Sequence, residues 1–310
     1  MTIVRSLLKR LSIDLFLLGD RLGVHLLPKH FYSPVPDYRW LRKHQGLWTR
    51  RAALTGIRWD LDEQVRWLAD LCTPYYPEVR GLRIYREITG AAIGAGYGPI
   101  ESQVLHCFIR AQRPPRVIEI GSGVSTACML RAAHMNQGEG LGESRVTCIE
   151  PYPREGFDQL AGITHIRELC QTVPASLFDE LRDGDLLFID SSHAVKTGSD
   201  TVRIYTELIP RLATGVFIHI HDITLPYLYP PDALVNPWGW QETTLLLALL
   251  THNPHLSVLA CESALHHDRP AALVRILPDY QPRTQREGLD GPVASEAGQH
   301  FPASIWLRTC

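Results

Sequence analysis

The sequence lacks the cysteine spacing that marks disulfide frameworks and zinc sites. Its seven cysteines are odd in number and widely scattered, and none of them forms a CxxC pair. This usage argues against both a disulfide framework and a thiolate zinc site. We therefore expect a chain that works in the reducing cytoplasm.

A dominance of one charge sign is also missing. The chain carries 31 Lys and Arg against 33 Asp and Glu, which gives a formal net charge of −2, and no long run of like charge occurs. Proteins that bind a nucleic-acid backbone usually carry a clear basic surplus. Nucleic acid is therefore not expected as a partner.

Long hydrophobic runs are missing as well. In the stretch MTIVRSLLKRLSIDLFLLGDRLGVHLL, Asp14 and Asp20 bracket an apolar run of only five residues, and no small-residue cleavage site follows. Neither a transmembrane segment nor a signal peptide is expected. Leucines at helical spacing instead predict an amphipathic helix over residues 3–27. This helix is expected to pack on the main domain or on a second copy in a homodimer, with contact to a membrane surface as the alternative.

The chain does contain 45% apolar residues over a length of 310, which is ample for a buried core. From residue 116 onward, short apolar runs alternate with helix-length segments, and this alternation is typical of a parallel sheet covered on both faces. The predicted fold class is therefore α/β, with a doubly wound, mostly parallel sheet of seven strands. The predicted strands are 116–120, 146–150, 163–169, 186–190, 216–220, 256–261 and 303–308.

Helices are expected on both sides of these strands, and no clear period marks the proline- and charge-rich stretch between the last two strands. We predict a division into residues 1–90, a helical extension and connector with a packing, dimer or lid role, and residues 91–310, the main domain. The predicted helices cover 60–72 with Asp60 or Asp62 as cap, a segment opened by Thr197 or Ser199, and about 240–250.

A glycine turn follows the first predicted strand, in the segment RVIEIGSGVST. Gly121 and Gly123 let the backbone come close to a ligand, and the helix that follows presents free N–H groups at the same place. The dinucleotide fingerprint would need a third glycine where Thr126 stands, which weakens the hypothesis of an NAD-dependent oxidoreductase. The Walker pattern is absent too, because no Gly-Lys-Ser/Thr follows.

Two acidic residues accompany the turn. Glu150 ends the next strand, where a carboxylate can accept both hydroxyls of a ribose, while Glu119 lies close to the turn and would sit near a cationic group. A carboxylate there would repel a pyrophosphate and attract an aminoacyl sulfonium. This combination resembles the class I, Rossmann-like S-adenosylmethionine-dependent methyltransferases. The resemblance implies S-adenosylmethionine as cofactor, with contacts at Glu119, Gly121, Ser122, Gly123, Ser125, Glu150 and Asp190.

Two further strand ends carry polar clusters, FIDSSH and HIHDI. In an open parallel sheet, ligands bind at the carboxyl ends of the strands. A histidine side chain ordinarily titrates near neutral pH, and His193 is predicted to be the general base, although a lone histidine is more often structural. Asp222 or Asp190 would orient its ring, and Lys196 would give electrostatic help. The side chains expected to meet the glycine turn in one cleft are Asp190, His193, His221 and Asp222.

The longer stretches FIDSSHAVKTGSD and HIHDITLPYLYP resemble a bacterial branch of these enzymes, grouped with sugar and macrolide O-methyltransferases and cephalosporin hydroxylase-like proteins. HFYSPVPD, YGPIES and WGWQE resemble that branch as well, so the resemblance covers roughly residues 30–308. Macrolide-sugar members hold a divalent metal with three aspartates, and the matching positions here are Asp190, His221 and Asp222. Magnesium prefers oxygen ligands, so the imidazole makes such a metal doubtful, although a softer ion would tolerate it.

The resemblance implies O-methylation of a hydroxyl group on a sugar or a secondary metabolite. Aromatic rings beside carboxylates suit a saccharide acceptor and suit a phenolic one equally well, with ordinary packing as the alternative for each ring. The competing hypotheses are a non-catalytic scaffold that binds S-adenosylmethionine or no cofactor, and methylation at nitrogen or at a carboxylate. The glycines at 90, 94, 96 and 98 predict either a mobile loop over the cofactor or a plain turn. The predicted acceptor residues are Tyr97, Glu101, His221, Tyr227, Trp240 and Glu242.

Overall fold

The chain forms two compact units, Met1–Trp48 and Thr49–Cys310. The computed structural model describes residues 2–90, 96–154, 156–157, 160–284, 288–289 and 298–310; Gly94 of the predicted glycine loop lies outside them. The division between the units falls after residue 48, whereas the predicted division fell after residue 90. Residues 49–90 belong to the same unit as the sheet, because their helices pack on it.

The first unit is helical. Its first helix, α1 (Thr2–Arg21), ends where Gly23 takes a φ of +73° and the Val24 amide donates to the Gly19 carbonyl at 2.9 Å. This glycine C-cap stops the helix before residue 27, so the predicted end was wrong. Among the described residues, no helix combines the length and the apolar character that crossing a membrane requires. The other helices of the unit are α2 (Tyr38–Lys43) and α3 (Gln45–Trp48).

The second unit is built on a seven-stranded sheet with the order β3-β2-β1-β4-β5-β7-β6. Strands β1 to β5 pair in parallel, and β7 lies antiparallel between β5 and β6. This arrangement confirms the predicted mostly parallel α/β sheet. The strands are β1 (Arg116–Ile120), β2 (Arg145–Ile149), β3 (Ile163–Ile166), β4 (Leu186–Ile189), β5 (Phe217–His221), β6 (Leu256–Cys261) and β7 (Ser304–Thr309).

Helices cover both faces of the sheet, as predicted. Successive residues of a strand point to opposite faces, so Phe188 lies in one apolar core and Ile189 in the other. Helices α4, α6, α7, α8 and α12 contribute to the first core, and α10 contributes to the second. The helices of this unit are α4 (Leu61–Cys72), α5 (Tyr76–Val79), α6 (Arg83–Ile88), α7 (Pro99–Gln112), α8 (Val124–Gly138), α9 (Asp200–Arg203), α10 (Glu242–Leu250), α11 (Glu262–Asp268) and α12 (Pro270–Ile276).

Capping residues account for several helix starts. Asp60 accepts hydrogen bonds from the Asp62 and Glu63 amides at 2.9 Å, which confirms the predicted start of α4. Ser199 accepts one from the Val202 amide at 3.2 Å and opens α9, also as predicted.

The helices that were not predicted from the sequence are α2, α3, α5, α6, α7, α11 and α12. The first four have at most six residues each, too few to show a periodic pattern. α7 is buried on all sides from Ile100 to Arg110, so its residues show no amphipathic period. α11 and α12 are seven residues each and lie in the stretch without periodicity, where so short a helix gives too little pattern to detect.

Candidate active site

Four strands of the sheet end in one row, and this places their following residues along one edge. The last paired residues of β1, β2, β4 and β5 are in register with one another. The sheet alone therefore brings the predicted strand-end residues together. The aligned residues are Ile120, Ile149, Ile189 and Ile220, and the residues that follow them are Gly121, Glu150, Asp190 and His221.

Both glycines of the turn between β1 and α8 have a positive φ, and Gly121 also lies in a close contact. Gly121 has a φ of +111°, and a Cβ atom there would lie 2.7 Å from the Asp190 carbonyl oxygen. Gly123 has a φ of +142° and directly precedes α8. Both positive φ values favour glycine. The turn therefore brings the N-terminus of α8 close to the end of β4.

Two neighbouring cavities open at this edge, each of about 410 Å³. The first, which we call the turn cavity, is lined by the glycine turn and by the ends of β4 and β5. The second, the loop cavity, lies beside the segment 230–232. Both are lined in part by Gly96, Tyr97, Asp222 and Trp240. The remaining residues that line the turn cavity are Ser122, Gly123, Val124, Ser125, Arg154, Asp190, Ser191, Ser192 and His193.

Glu119 does not line either of these two cavities. Its side chain is fully buried and accepts hydrogen bonds from Ser125 Oγ at 2.5 Å, Thr126 Oγ1 at 2.6 Å and Cys148 Sγ at 3.1 Å. Burial raises the pKa of Glu119 to about 7, although these hydrogen bonds act in the opposite direction. The carboxylate is directed toward α8, and its contact with a cationic ligand stays a prediction.

Glu150 lies beside the glycine turn, as its position after β2 requires. Its Oε1 accepts from the Tyr152 amide at 2.7 Å, and its Oε2 lies 3.5 Å from Ser122 Oγ. The side chain is partly exposed. A carboxylate held in this way next to the turn is available to accept hydroxyl groups of a ligand.

The four predicted polar side chains at the ends of β4 and β5 form one cluster. His193 Nε2 lies 3.4 Å from Asp190 Oδ1 and 3.3 Å from Asp222 Oδ2. His221 Nδ1 lies 3.4 Å from the same Asp190 oxygen and 3.6 Å from the same Asp222 oxygen. The two imidazoles therefore share two carboxylates.

The cluster shifts the titration of its members strongly. Burial opposes charge on all of these groups, but the neighbouring carboxylates raise the pKa of His221 to about 9 and that of His193 well above its ordinary value. Conversely, despite burial, the two imidazoles hold the pKa of Asp190 well below its usual range. His221 is therefore protonated at neutral pH, and the carboxylates favour the protonated form of His193 as well.

This donor set does not fit magnesium. One donor atom from each of Asp190, His193, His221 and Asp222 lies within 4.8 Å of the others, so the spacing alone would admit an ion. Two of those four donors are imidazole nitrogens, whereas magnesium takes oxygen ligands. A mixed set of nitrogen and oxygen atoms fits only a softer divalent ion.

Glu242 lies behind His193 and not in the predicted acceptor pocket. It is 2% exposed, and its Oε2 lies 2.7 Å from His193 Nδ1. The predicted orienting residues, Asp222 and Asp190, instead approach the other ring nitrogen, Nε2. Glu242 is the first residue of α10, and the helix directs its carboxylate inward, where it holds the His193 ring.

The other predicted acceptor residues divide into two groups. Tyr97, Glu101, His221 and Trp240 all line the loop cavity. Tyr227 does not: its ring packs on His267 at 4.9 Å between centroids, with the Arg51 guanidinium 5.6 Å from the ring centre.

Lys196, predicted as an electrostatic aid, is exposed and is not among the residues that line the turn cavity or the loop cavity. The turn at 196–199, in which the Ser199 amide donates to the Lys196 carbonyl at 3.0 Å, leaves this side chain at the surface.

Tyr97 connects the two cavities to the core beneath them. Its hydroxyl group lies 3.2 Å from His219 Nε2, and its ring lies 4.9 Å from that of His221. His219 is fully buried and stacks on Phe188, and burial lowers its pKa well below the ordinary value. His219 is therefore a neutral core histidine that supports Tyr97.

Several lining residues were missed in the sequence. Arg154 and Ser192 line the turn cavity, and their positions shortly after β2 and β4 are the only signal that would have indicated them. Others come from distant parts of the chain that only the folded structure brings together. These residues of the loop cavity are Tyr85, Asp232, Arg283 and Phe301.

Comparison with known proteins found a curated relative and several similar solved structures. A curated protein of Archaeoglobus fulgidus, described as uncharacterized, is 29% identical over 170 residues, which is 50% of this chain and 73% of the relative. Among solved structures, the SAH-bound methyltransferase PaMTH1 of Podospora anserina is 15% identical with a TM-score of 0.38, over 73% of this chain and 93% of that one. MycE methyltransferase from the mycinamycin biosynthetic pathway, in complex with Mg and SAH, is 13% identical with a TM-score of 0.35, over 72% of this chain and 53% of that one.

The family model described as "Methyltransferase domain" matches residues 118–223, about a third of the chain. The match runs from β1 to just beyond β5 and includes the glycine turn, Glu150, His193 and Asp222. The segment that supplies most of the candidate site is thus a match to a methyltransferase domain.

Proposed function

We propose that the protein is an S-adenosylmethionine-dependent methyltransferase that methylates a hydroxyl group on a sugar or a secondary metabolite. The observation that carries the proposal is the junction of two cavities at the carboxyl edge of the sheet. One cavity contains the glycine turn, the other contains aromatic and acidic side chains, and Asp222 lines both. A methyl donor and an acceptor would therefore meet beside His193.

The turn cavity suits the methyl donor. The start of α8 supplies backbone N–H groups next to Gly123. Glu150 is not itself among the lining residues, but it lies beside Ser122, which is, and from there it would accept the ribose hydroxyls. Asp190 and Asp222 place two carboxylates on the cavity wall, where they can face a sulfonium cation. The match of residues 118–223 to a methyltransferase domain supports the same ligand.

His193 is the proton acceptor in this proposal. Methyl transfer from a sulfonium is an in-line displacement, and the acceptor hydroxyl must lose its proton as the new bond forms. His193 Nε2 lies between Asp190 and Asp222 at the wall of the turn cavity. The carboxylates favour the protonated imidazole, and a sulfonium cation bound beside it would favour the neutral, proton-accepting form.

The loop cavity suits the acceptor. Tyr97 and Trp240 offer ring faces on which a sugar or an aromatic acceptor can stack, and Glu101 and Asp232 offer carboxylates to its hydroxyl groups. Glu101 is 4% exposed, and burial raises its pKa. This shift favours the neutral carboxyl group, which can donate a hydrogen bond to a hydroxyl oxygen as well as accept one.

Calorimetric titration with S-adenosylmethionine and S-adenosylhomocysteine tests the donor. We expect saturable binding of both, and binding of neither would overturn the proposal and favour a scaffold. Radiolabelled methyl transfer to a panel of monosaccharides, macrolides and phenols, followed by mass spectrometry of the products, then tests the acceptor. Methylation found only at nitrogen or at a carboxylate would reject the hydroxyl acceptor and keep the cofactor.

A further inference from the structure

We infer that Glu242 is the positioning residue that fixes the orientation of the His193 imidazole. This inference rests on the proposed function, in which His193 receives the acceptor's proton. Glu242 itself lines neither the turn cavity nor the loop cavity, so it acts through His193 and touches no ligand bound there.

The contact between the two side chains is short and buried. His193 Nδ1 lies 2.7 Å from Glu242 Oε2, and the exposed fractions of the two residues are 6% and 2%. The other carboxylate oxygen, Oε1, accepts from Ser191 Oγ at 3.1 Å. Both oxygens of the carboxylate therefore have a defined partner, and the carboxylate cannot turn away from the ring without breaking two hydrogen bonds.

The arrangement determines which ring nitrogen is free. A proton on Nδ1 is directed at Glu242, so Nε2 is left to face Asp190 and Asp222 at the cavity wall. Asp190 and Asp222 approach only Nε2 and cannot hold Nδ1. Of the carboxylates around this ring in the described part of the chain, Glu242 is the one that selects the tautomer in which Nε2 can accept a proton.

The backbone supports the same geometry. His193 has a φ of +57°, a left-handed conformation that costs free energy for a non-glycine residue. Its carbonyl accepts from the Gln241 amide at 3.0 Å, directly before Glu242 opens α10. The start of α10 therefore holds both the backbone and the ring of His193, and strain at this residue is maintained by two adjacent contacts.

A spectroscopic test needs no acceptor. In proton NMR spectra of the free protein labelled with ¹⁵N-histidine, we expect a far-downfield Nδ1 proton of His193, because the hydrogen bond to a buried carboxylate is strong. Its assignment is checked by its loss in His193→Ala. The signal should disappear in Glu242→Ala and shift upfield in Glu242→Gln, which keeps the side-chain volume but offers a neutral acceptor.

The control for charge removal is Glu207→Gln, because Glu207 is an exposed carboxylate that pairs with Arg203 outside the site. This substitution should leave the signal unchanged. Absence of the downfield proton in the wild type, or its persistence unshifted in Glu242→Gln, would overturn the inference. Binding of S-adenosylhomocysteine by the same samples reports separately on the proposed function. Failure of the inference about Glu242 can therefore be distinguished from failure of the proposed function.

Once an acceptor is known, a double-mutant cycle gives a second test. Glu242→Gln should lower kcat at least about tenfold with little change in the KM for S-adenosylmethionine, a loss within the range that a general base supplies. The same substitution should cost nothing further in a His193→Ala background, since Glu242 acts only through that ring. A loss of equal size in both backgrounds would indicate a merely structural role.

Discussion

Thr126 donates its hydroxyl group to the buried carboxylate of Glu119 at 2.6 Å. The same hydroxyl oxygen accepts from the Gly123 amide at 3.0 Å, so one side chain joins the strand, the turn and the first turn of α8. Thr126 stands where a dinucleotide fingerprint would have its third glycine. The threonine at this position therefore has a structural role. It connects Glu119 to the glycine turn, and the buried Glu119 helps to hold the turn in place.

The pH dependence of stability follows from this buried carboxyl group. Burial raises the pKa of Glu119 from an ordinary 4.5 to about 7, so the folded state binds the proton more tightly than the unfolded state. The resulting stabilisation is fully present below pH 4.5 and is lost as the pH rises through 7, by up to about 3 kcal/mol. Glu119→Gln should remove this part of the pH dependence. Urea unfolding at pH 5 and pH 8 measures it in both proteins.

The comparison isolates one group because glutamine does not titrate. The free energy of unfolding could change by the same amount between the two pH values in the wild type and in Glu119→Gln. That result would show that Glu119 ionises normally in the folded state.

The sheet could be predicted from sequence because its strands are short apolar runs in a regular order. Register then placed Asp190 and His221 at one edge without further information. The direction in which side chains near the site point could not be predicted from the sequence. Glu119 and Glu242 were both expected to contact ligands, yet each is turned into the core by a partner that lies near it only in the fold, Cys148 in one case and His193 in the other.

The loop cavity shows the same limit. Trp240 and Tyr97 were predicted from local motifs, whereas Arg283 and Phe301 come from a stretch without any periodicity. Cavities assembled from loops depend on long-range packing, and a single sequence carries little information about such contacts.

Glu150 should contribute to cofactor affinity. Its carboxylate lies beside Ser122 at the glycine turn, where it would accept ribose hydroxyls. Hydrogen bonds to a charged group contribute about 1.5–3 kcal/mol, so Glu150→Ala should weaken S-adenosylhomocysteine binding about 10- to 100-fold in calorimetric titration. Glu143→Ala, which removes an exposed carboxylate shortly before β2, is the matched control and should bind normally. Equal affinities for the two variants would remove Glu150 from the cofactor site.

His193 should affect turnover and not cofactor affinity. General base catalysis contributes about 100- to 10,000-fold, and His193→Ala removes the base while it leaves the glycine turn and Glu150 in place. We expect kcat to fall within that range, and the dissociation constant of S-adenosylmethionine to change little. Steady-state kinetics together with calorimetry measures both quantities, and an unchanged kcat in this variant would rule out His193 as the proton acceptor.

Two neighbouring tryptophans offer an internal comparison for the acceptor site. Trp240 lines both cavities, and its ring centre lies 4.7 Å from that of His193, whereas Trp238 is 72% exposed and is not among the lining residues. An aromatic contact of this kind contributes about 1 kcal/mol or more beyond the area it buries. Trp240→Ala should therefore lower kcat/KM for the acceptor about tenfold or more, while Trp238→Ala should change it less than twofold. Each substitution removes an indole ring from the same loop. A similar loss of kcat/KM in the two variants would therefore mean that the loop as a whole, and not the Trp240 ring face, supports catalysis.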